Sequence, residues 1–271
     1  MNILRGRNLV WMIGMPIFFT LISLGGYFFY ILIQIVIFLI IREFNVLAKR
    51  LDTNPSLVML IVSSVFISFY YFSGFIVGSH KPEIYAISTS VILFFYELFN
   101  KKENSFLNIS MTIFGIFYIP ILLGTIIAIR QFDHVMHTSY TYALFISIWA
   151  CDTSAFIFGS YFGKRKIFPS ISPKKTWEGS IAGVVSSVAI FVLFFKLNLL
   201  GNSNNFNESI SLGILVSVFG QIGDLFESKL KREAGVKDSG TLLLGHGGVL
   251  DRFDSLIFAS PVIYFYTIFF I

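Results

Sequence analysis

Runs of about 20 apolar residues, the length needed to cross a hydrocarbon layer roughly 30 Å thick, follow one another along most of this chain. Inside hydrocarbon every backbone N–H and C=O must be satisfied within the protein, so such runs fold as helices. Nine candidate helices can be read, at about 8–25, 27–42, 56–78, 84–100, 106–129, 140–162, 180–200, 209–227 and 254–271. Composition agrees. With 55% hydrophobic and 13% charged residues, 33 Phe and a mean hydropathy of +0.78, a soluble globular domain is excluded. The expectation is an all-α, polytopic integral membrane protein of about nine transmembrane helices. Residues 1–271 would form a single integral membrane domain, with the catalytic elements concentrated in 150–254. Arg5 and Arg7 before an apolar run have the look of a secretory signal, but no small-x-small cleavage site follows, so a retained first span is expected. The single cysteine, Cys151, excludes an internal disulfide or a multi-cysteine metal site and reads as a small core residue.

The basic residues first answer a topological question. With nine spans, every Lys and Arg except Lys81, Arg130 and Lys196 falls on the side of Arg5 and Arg7. The positive-inside rule makes that side the cytoplasm. Eight or ten spans would destroy the segregation. A pI near 9.2 therefore needs no nucleic-acid partner. Two polar loops stand out on the cytoplasmic side, Gly163–Gly179 and Ser228–Asp254. Lys101 and Lys102 ask for no more than the topology rule and attraction to anionic lipid. That explanation does not cover the acids.

Asp152 lies inside the sixth expected span, Asp224 and Glu227 near the end of the eighth, and Asp251 and Asp254 at the start of the ninth. An ionised acid in a span is costly and usually pairs or lines a polar cavity. A spacing of three sets Asp224 and Glu227 on one helix face, with Ser228 and Lys231 beside them. Mg²⁺ takes one or two carboxylates plus substrate phosphates, so Asp224 and Asp251 read as metal ligands. Glu227 is either a further ligand or the i,i+4 ion-pair partner of Lys231. Asp254 is either a ligand or a helix-start acid favoured by the macrodipole. Asp152 either completes the cavity or bonds a neighbouring helix. The cations Lys174, Lys175, Lys231, Arg232, Lys237 and Arg252 suit a polyanion such as a nucleoside triphosphate, because phosphoryl-type transfer is catalysed mainly by positioning and charge stabilisation. His246, flanked by Gly245 and Gly247, could donate to a phosphate or leaving group, although a structural role is the plainer reading for a lone histidine. The glycines of this loop let backbone approach a ligand closely. There is no Walker A pattern.

These residues resemble the integral-membrane phosphatidate cytidylyltransferase (CDP-diacylglycerol synthase) family. Its C-terminal motif, S-x-[apolar]-K-R-x4-K-D-x-G followed by H-G-G-x-x-D-R-x-D, stands here as Ser228, Leu230, Lys231, Arg232, Lys237, Asp238, Gly240, His246, Gly247, Gly248, Asp251, Arg252 and Asp254. A second element, S-P-[KR]-K-[ST]-x-E-G, stands as Ser172, Pro173, Lys174, Lys175, Thr176, Glu178 and Gly179, and G-D-x-x-E-S as Gly223, Asp224, Glu227 and Ser228. The first half shares little beyond its spans. One departure is Leu244, where the family usually has proline or a small turn former. The resemblance implies the reaction of CTP with phosphatidate to give CDP-diacylglycerol and pyrophosphate, with Mg²⁺, in a homodimer at the inner face of the plasma membrane. It implies that Lys231, Arg232, Lys237, Asp238, His246 and Arg252 serve catalysis. Asp152, Ser172, Lys174, Lys175, Thr176, Glu178, Gly247 and Gly248 would serve substrate binding. The rivals are another CTP-dependent lipid enzyme, such as a polyprenol kinase or an ether-lipid cytidylyltransferase, and a cation-coupled transporter using Asp152, Asp224 and Glu227. A CDP-lipid alcohol phosphotransferase is disfavoured, since no D-G-x2-A-R pattern occurs.

The topology makes a direct prediction. In a Cys151→Ser background, a Ser170→Cys protein should react with a membrane-impermeant thiol reagent only in opened cells, and a Lys81→Cys protein in intact ones. Labelling of position 170 in intact cells would invert the orientation.

Overall fold

A computed structural model describes residues 14–77, 88–89, 91–92, 95–96, 99, 104–202, 204–240 and 247–271. Among them are eight helices: α1 (Met15–Leu24), α2 (Gly26–Arg50), α3 (Leu57–Val77), α4 (Ser105–Met136, with a π-helical turn at Phe117–Ile121), α5 (Tyr140–Phe162), α6 (Trp177–Lys196), α7 (Phe206–Glu233) and α8 (Leu250–Phe269). Six of these, α2 to α7, are long and apolar enough to cross a membrane. The protein is thus an all-α polytopic membrane protein. The expected helix at 84–100 lies largely outside the described residues. One element was not anticipated. The loop at Gly163–Gly179 folds back as a two-stranded antiparallel ribbon, β1 (Lys166–Phe168) and β2 (Ser172–Thr176), with Lys166 opposite Thr176.

The chain divides into two compact units, Met1–Gln131 with Glu233–Arg252, and Phe132–Arg232 with Phe253–Ile271. In the first, α2 and α3 are joined by a buried polar cluster. Gln34 Nε2 donates to Ser64 Oγ at 3.3 Å, and the Ser68 hydroxyl donates to Gln34 Oε1. Such bonds act as glue between helices where hydrocarbon supplies no partner. In α4, Pro120 cannot donate an i→i−4 bond and its ring crowds the preceding turn, so the helix widens there into a π-turn. The Tyr71 hydroxyl donates to the Ile121 carbonyl at 3.0 Å. Gly25, at φ +61, ends α1, and the Arg130 guanidinium donates to the Ile22 and Ser23 carbonyls at 2.8 and 3.1 Å. Those are the carbonyls that a helix C-terminus leaves without intrahelical partners.

In the second unit, glycines let α5, α6 and α7 approach closely. A Cβ at Gly183 would stand 2.8 Å from Cys151 Sγ, and one at Gly213 would stand 2.5 Å from Val188 Cα. Small residues at helix crossings are the usual solution in membranes, where close van der Waals packing replaces a hydrophobic drive. Asn205 and Glu208 form a reciprocal capping box at the start of α7, each side chain accepting the other's backbone N–H at 3.0 Å. Asp133 is buried and accepts the Tyr140 and Thr141 N–H groups at 2.8 and 2.7 Å, capping α5.

Helix α7 runs to Glu233, and Gly235 follows at φ +68, the left-handed conformation in which glycine commonly ends a helix. Elsewhere the bounds move. Helix α2 continues beyond its apolar run through Arg42 and Glu43 to Arg50, and α8 starts at Leu250, four residues before the expected position. Hydropathy marks where a helix enters water; capping decides where it ends.

Gly213→Val should cost about 1–3 kcal/mol through overpacking against the backbone of α6, lowering the melting temperature of the detergent-solubilised protein. Gly74→Ala, whose Cβ would meet nothing within 4 Å, should not lower it.

Candidate active site

Two charged constellations emerge, one in each unit. In the second unit, α5 carries Asp152, the ribbon carries Ser172, Lys174, Lys175 and Thr176, and α7 carries Asp224. All six line one cavity of about 670 Å³, together with Lys166, Phe156 and Gln221. These six come from three separate stretches of chain, and the fold collects them.

The ribbon is held in place by its own motif. The Thr176 hydroxyl accepts the Gly179 N–H at 3.2 Å and so N-caps α6. The Glu178 carboxylate accepts the Lys164 N–H at 3.1 Å and the Arg165 N–H at 3.3 Å. Arg232 Nε donates to the Ile171 carbonyl at 3.4 Å, tying the ribbon's turn to α7. A Cβ at Gly179 would lie 2.6 Å from the Ala155 carbonyl, so α6 can start against α5 only with glycine there.

Inside the cavity, Lys175 Nζ lies 2.6 Å from Asp224 Oδ2, and the Ser228 hydroxyl donates to Asp224 Oδ1 at 3.4 Å. Below, Lys231 Nζ lies 2.5 Å from Glu227 Oε2, and the Glu227 side chain is fully buried. The i,i+4 ion pair is therefore formed. Asp254 is buried, accepts the Ser255 N–H at 2.6 Å, and lies within charge range of Asp224, Glu227 and Asp152. With α8 starting at Leu250, the acid in its first turn is Asp251, and Asp254 stands one turn deeper. Gly223 provides the close approach, since a Cβ there would meet the Asp254 carbonyl at 2.5 Å.

The first unit holds the other constellation. The Asp251 carboxylate accepts the Gly248 N–H at 2.6 Å and the Ser239 N–H at 3.1 Å. Glu43, from α2, accepts the Val249 and Leu250 N–H groups at 2.8 and 2.9 Å and the Ser239 hydroxyl at 2.8 Å. Gly247, at φ +78, leaves room for Asp251, because a Cβ would stand 2.6 Å from its Oδ2. A Cβ at Gly248 would collide with the Ser239 hydroxyl and the Glu43 carboxylate. Lys237, Asp238 and Arg252 are exposed. His246 and Leu244 lie outside the described residues.

Sequence reasoning passed over three residues. Lys166 was counted only as topology, although its register opposite Thr176 brings it to the cavity. Gln221 was not considered, yet its side chain joins Ser180, Ser217 and Cys151 at the cavity wall. Glu43 sat just past an apolar run and read as loop. A spacing of three from Gln221 to Asp224 was the available signal for the second. No local signal existed for Glu43.

The family model for the cytidylyltransferase family matches residues 5–270. The chain belongs to that family. It is 35% identical over 264 residues to a phosphatidate cytidylyltransferase of Bacillus subtilis, covering 97% of each chain, and 30% identical over 289 residues to one of a Synechocystis species, covering 94% of each. To a phosphatidate cytidylyltransferase of Staphylococcus haemolyticus it is 42% identical over 183 residues, covering 65% of this chain and 66% of that one.

Cytidylyltransferase chemistry on a triphosphate brings a divalent cation into question. The donors available are carboxylate oxygens, which suit a hard ion such as Mg²⁺. Asp152 and Asp224 both line the cavity, and the Lys175 ammonium already sits on Asp224 where a positive charge is wanted. Among the described residues no group of three or more His, Cys, Asp or Glu could hold an ion alone. An ion there would draw its remaining ligands from substrate phosphates and water, as Mg²⁺ commonly does.

Thr176→Val removes the hydroxyl cap at nearly constant volume and should cost about 1 kcal/mol, read as a lower melting temperature in detergent.

Proposed function

We propose that this protein is a phosphatidate cytidylyltransferase, converting CTP and phosphatidate to CDP-diacylglycerol and pyrophosphate. The observation that carries the reading is the cavity itself: lysines and aspartates from three elements share one space in a chain similar over 97% of its length to a protein of that name.

The lipid's phosphate monoester oxygen attacks the α-phosphorus of CTP, the new P–O bond forms, and the bond to pyrophosphate breaks. No protein nucleophile is required. Cys151 is buried, with Sγ 3.1 Å from Ser217 Oγ. Lys174 and Lys175 hold phosphate oxygens at the ribbon, and Asp152 borders the space that receives the lipid headgroup. Thr176 and Glu178 serve binding by fixing the ribbon, as Ser172 does from within β2. Lys231, Arg232, Lys237 and Arg252 carry phosphate charge as it shifts. Asp238 and His246 complete the loop, His246 as a donor to the departing pyrophosphate, and Gly247 and Gly248 admit substrate close to backbone. Magnesium ligation is proposed for Asp224 and for Asp251, with Glu227 and Asp254 as supporting acids. Bound magnesium would supply neutralising charge to the phosphates. The protein is taken as a homodimer in the inner (plasma) membrane with both loops cytoplasmic. The segregation of Lys and Arg supports the side, and the family resemblance supports the dimer.

Purified protein given CTP, phosphatidate and Mg²⁺ should release pyrophosphate in step with CDP-diacylglycerol. Lys175→Met and Asp224→Asn should each lower turnover by about 10²–10³-fold, the scale for losing one charge-stabilising group. Isoprenoid alcohols or ether lipids replacing phosphatidate as the better acceptor, or full activity in Asp224→Asn, would overturn the assignment.

A further inference from the structure

We infer that Glu43 is a positioning residue for the reaction: from α2 it sets the segment that orients the Asp251 carboxylate. The inference rests on the proposed role of Asp251.

The geometry runs in two steps. Glu43 is only 7% exposed, and both its oxygens are used. Oε1 accepts the Val249 N–H, and Oε2 accepts the Leu250 N–H and the Ser239 hydroxyl. These donors lie about 200 residues along the chain, at Ser239 and at Val249 and Leu250, so one carboxylate holds the two places together. Ser239 then uses its backbone N–H on Asp251, and Gly248, next to Val249, does the same. Ser239 is therefore itself held by Glu43, and Gly248 is adjacent to a residue that is.

Two glycines are shaped by this contact. A Cβ at Gly240 would stand 2.6 Å from Glu43 Oε1, and a Cβ at Gly248 would overlap Oε2 and the Ser239 hydroxyl. Capping α8 alone would need only the Val249 and Leu250 bonds. The third bond, to Ser239, adds nothing to the helix and acts only on the segment that holds Asp251. Partners standing behind a metal-ligating carboxylate typically change metal affinity or activity by about 10–100-fold when removed.

The test uses the full-length protein in detergent or liposomes. Glu43→Gln keeps the shape but turns an N–H₂ group toward N–H donors, and Glu43→Asp keeps the charge one methylene short. Both should lower kcat by about 10–100-fold, measured with CTP and Mg²⁺ saturating, because Glu43 acts through Asp251. Backbone amide exchange at Ser239, Gly248 and Val249, measured without substrate or metal, should quicken. Adding Glu43→Gln to Asp251→Asn should lower turnover no further than Asp251→Asn alone, since the two act as a unit. Full kcat in Glu43→Gln beside a crippled Asp251→Asn, or losses that multiply in the double variant, would overturn the inference and leave the proposed activity standing. Full turnover in Asp251→Asn would remove the Asp251 role itself. Failure of both Glu43 variants to fold would make Glu43 a folding residue and refute a positioning role.

Discussion

A helix leaves its first N–H groups without intrahelical partners, and in an apolar surrounding water is not there to supply them. Much of this protein's organisation answers that constraint. Two buried carboxylates, Glu43 and Asp133, each accept the leading N–H groups of a following helix. At the opposite polarity, the Arg130 guanidinium takes the last carbonyls of α1. Burying a charge is costly, and the cost is offset only when every lone pair or proton finds a partner. Glu43 goes far toward it, with three donors shared between its two oxygens. The starts of α5 and α8 follow from it.

The cavity in the second unit obeys the same rule with opposite charges. Its aspartates would repel one another and its lysines would repel one another, but they alternate. Lys175 sits on Asp224, and Lys231 sits on Glu227 one helical turn below. Such pairing keeps the space polar without collapsing it, because each side chain comes from a different rigid element or from a different turn of α7. An incoming polyanion could then take Lys175 from Asp224, leaving that carboxylate to a metal ion. Charge would be exchanged between partners already in place, which is how a preorganised site lowers the reorganisation a reaction demands.

The helices were legible because an apolar run and a membrane thickness are both local quantities. Tyr140–Phe162 matches the expected bounds, and α3 differs by one residue at each end. The paired spacing of Asp224 and Glu227 likewise put Ser228 and Lys231 on the right face. The β-ribbon was not legible, since its strands are short and charged, without the apolar alternation in sequence that marks a half-buried sheet. The start of α8 was missed for another reason: its cap comes from a residue some 200 positions away.

From its residues alone this chain declared a membrane protein, a charge-sorted topology, and two loops whose acids and bases match a nucleotide-using lipid enzyme. Those properties depend on composition and near-neighbour spacing, which any reading of the chain contains. Only the tertiary structure decided which of the charges meet, that Lys166 and Gln221 share the cavity of Asp152 and Asp224, and that Glu43 accepts hydrogen bonds from Ser239, Val249 and Leu250. A hydrogen bond between distant segments has no local signature. It exists only once the helices carrying its two partners have packed.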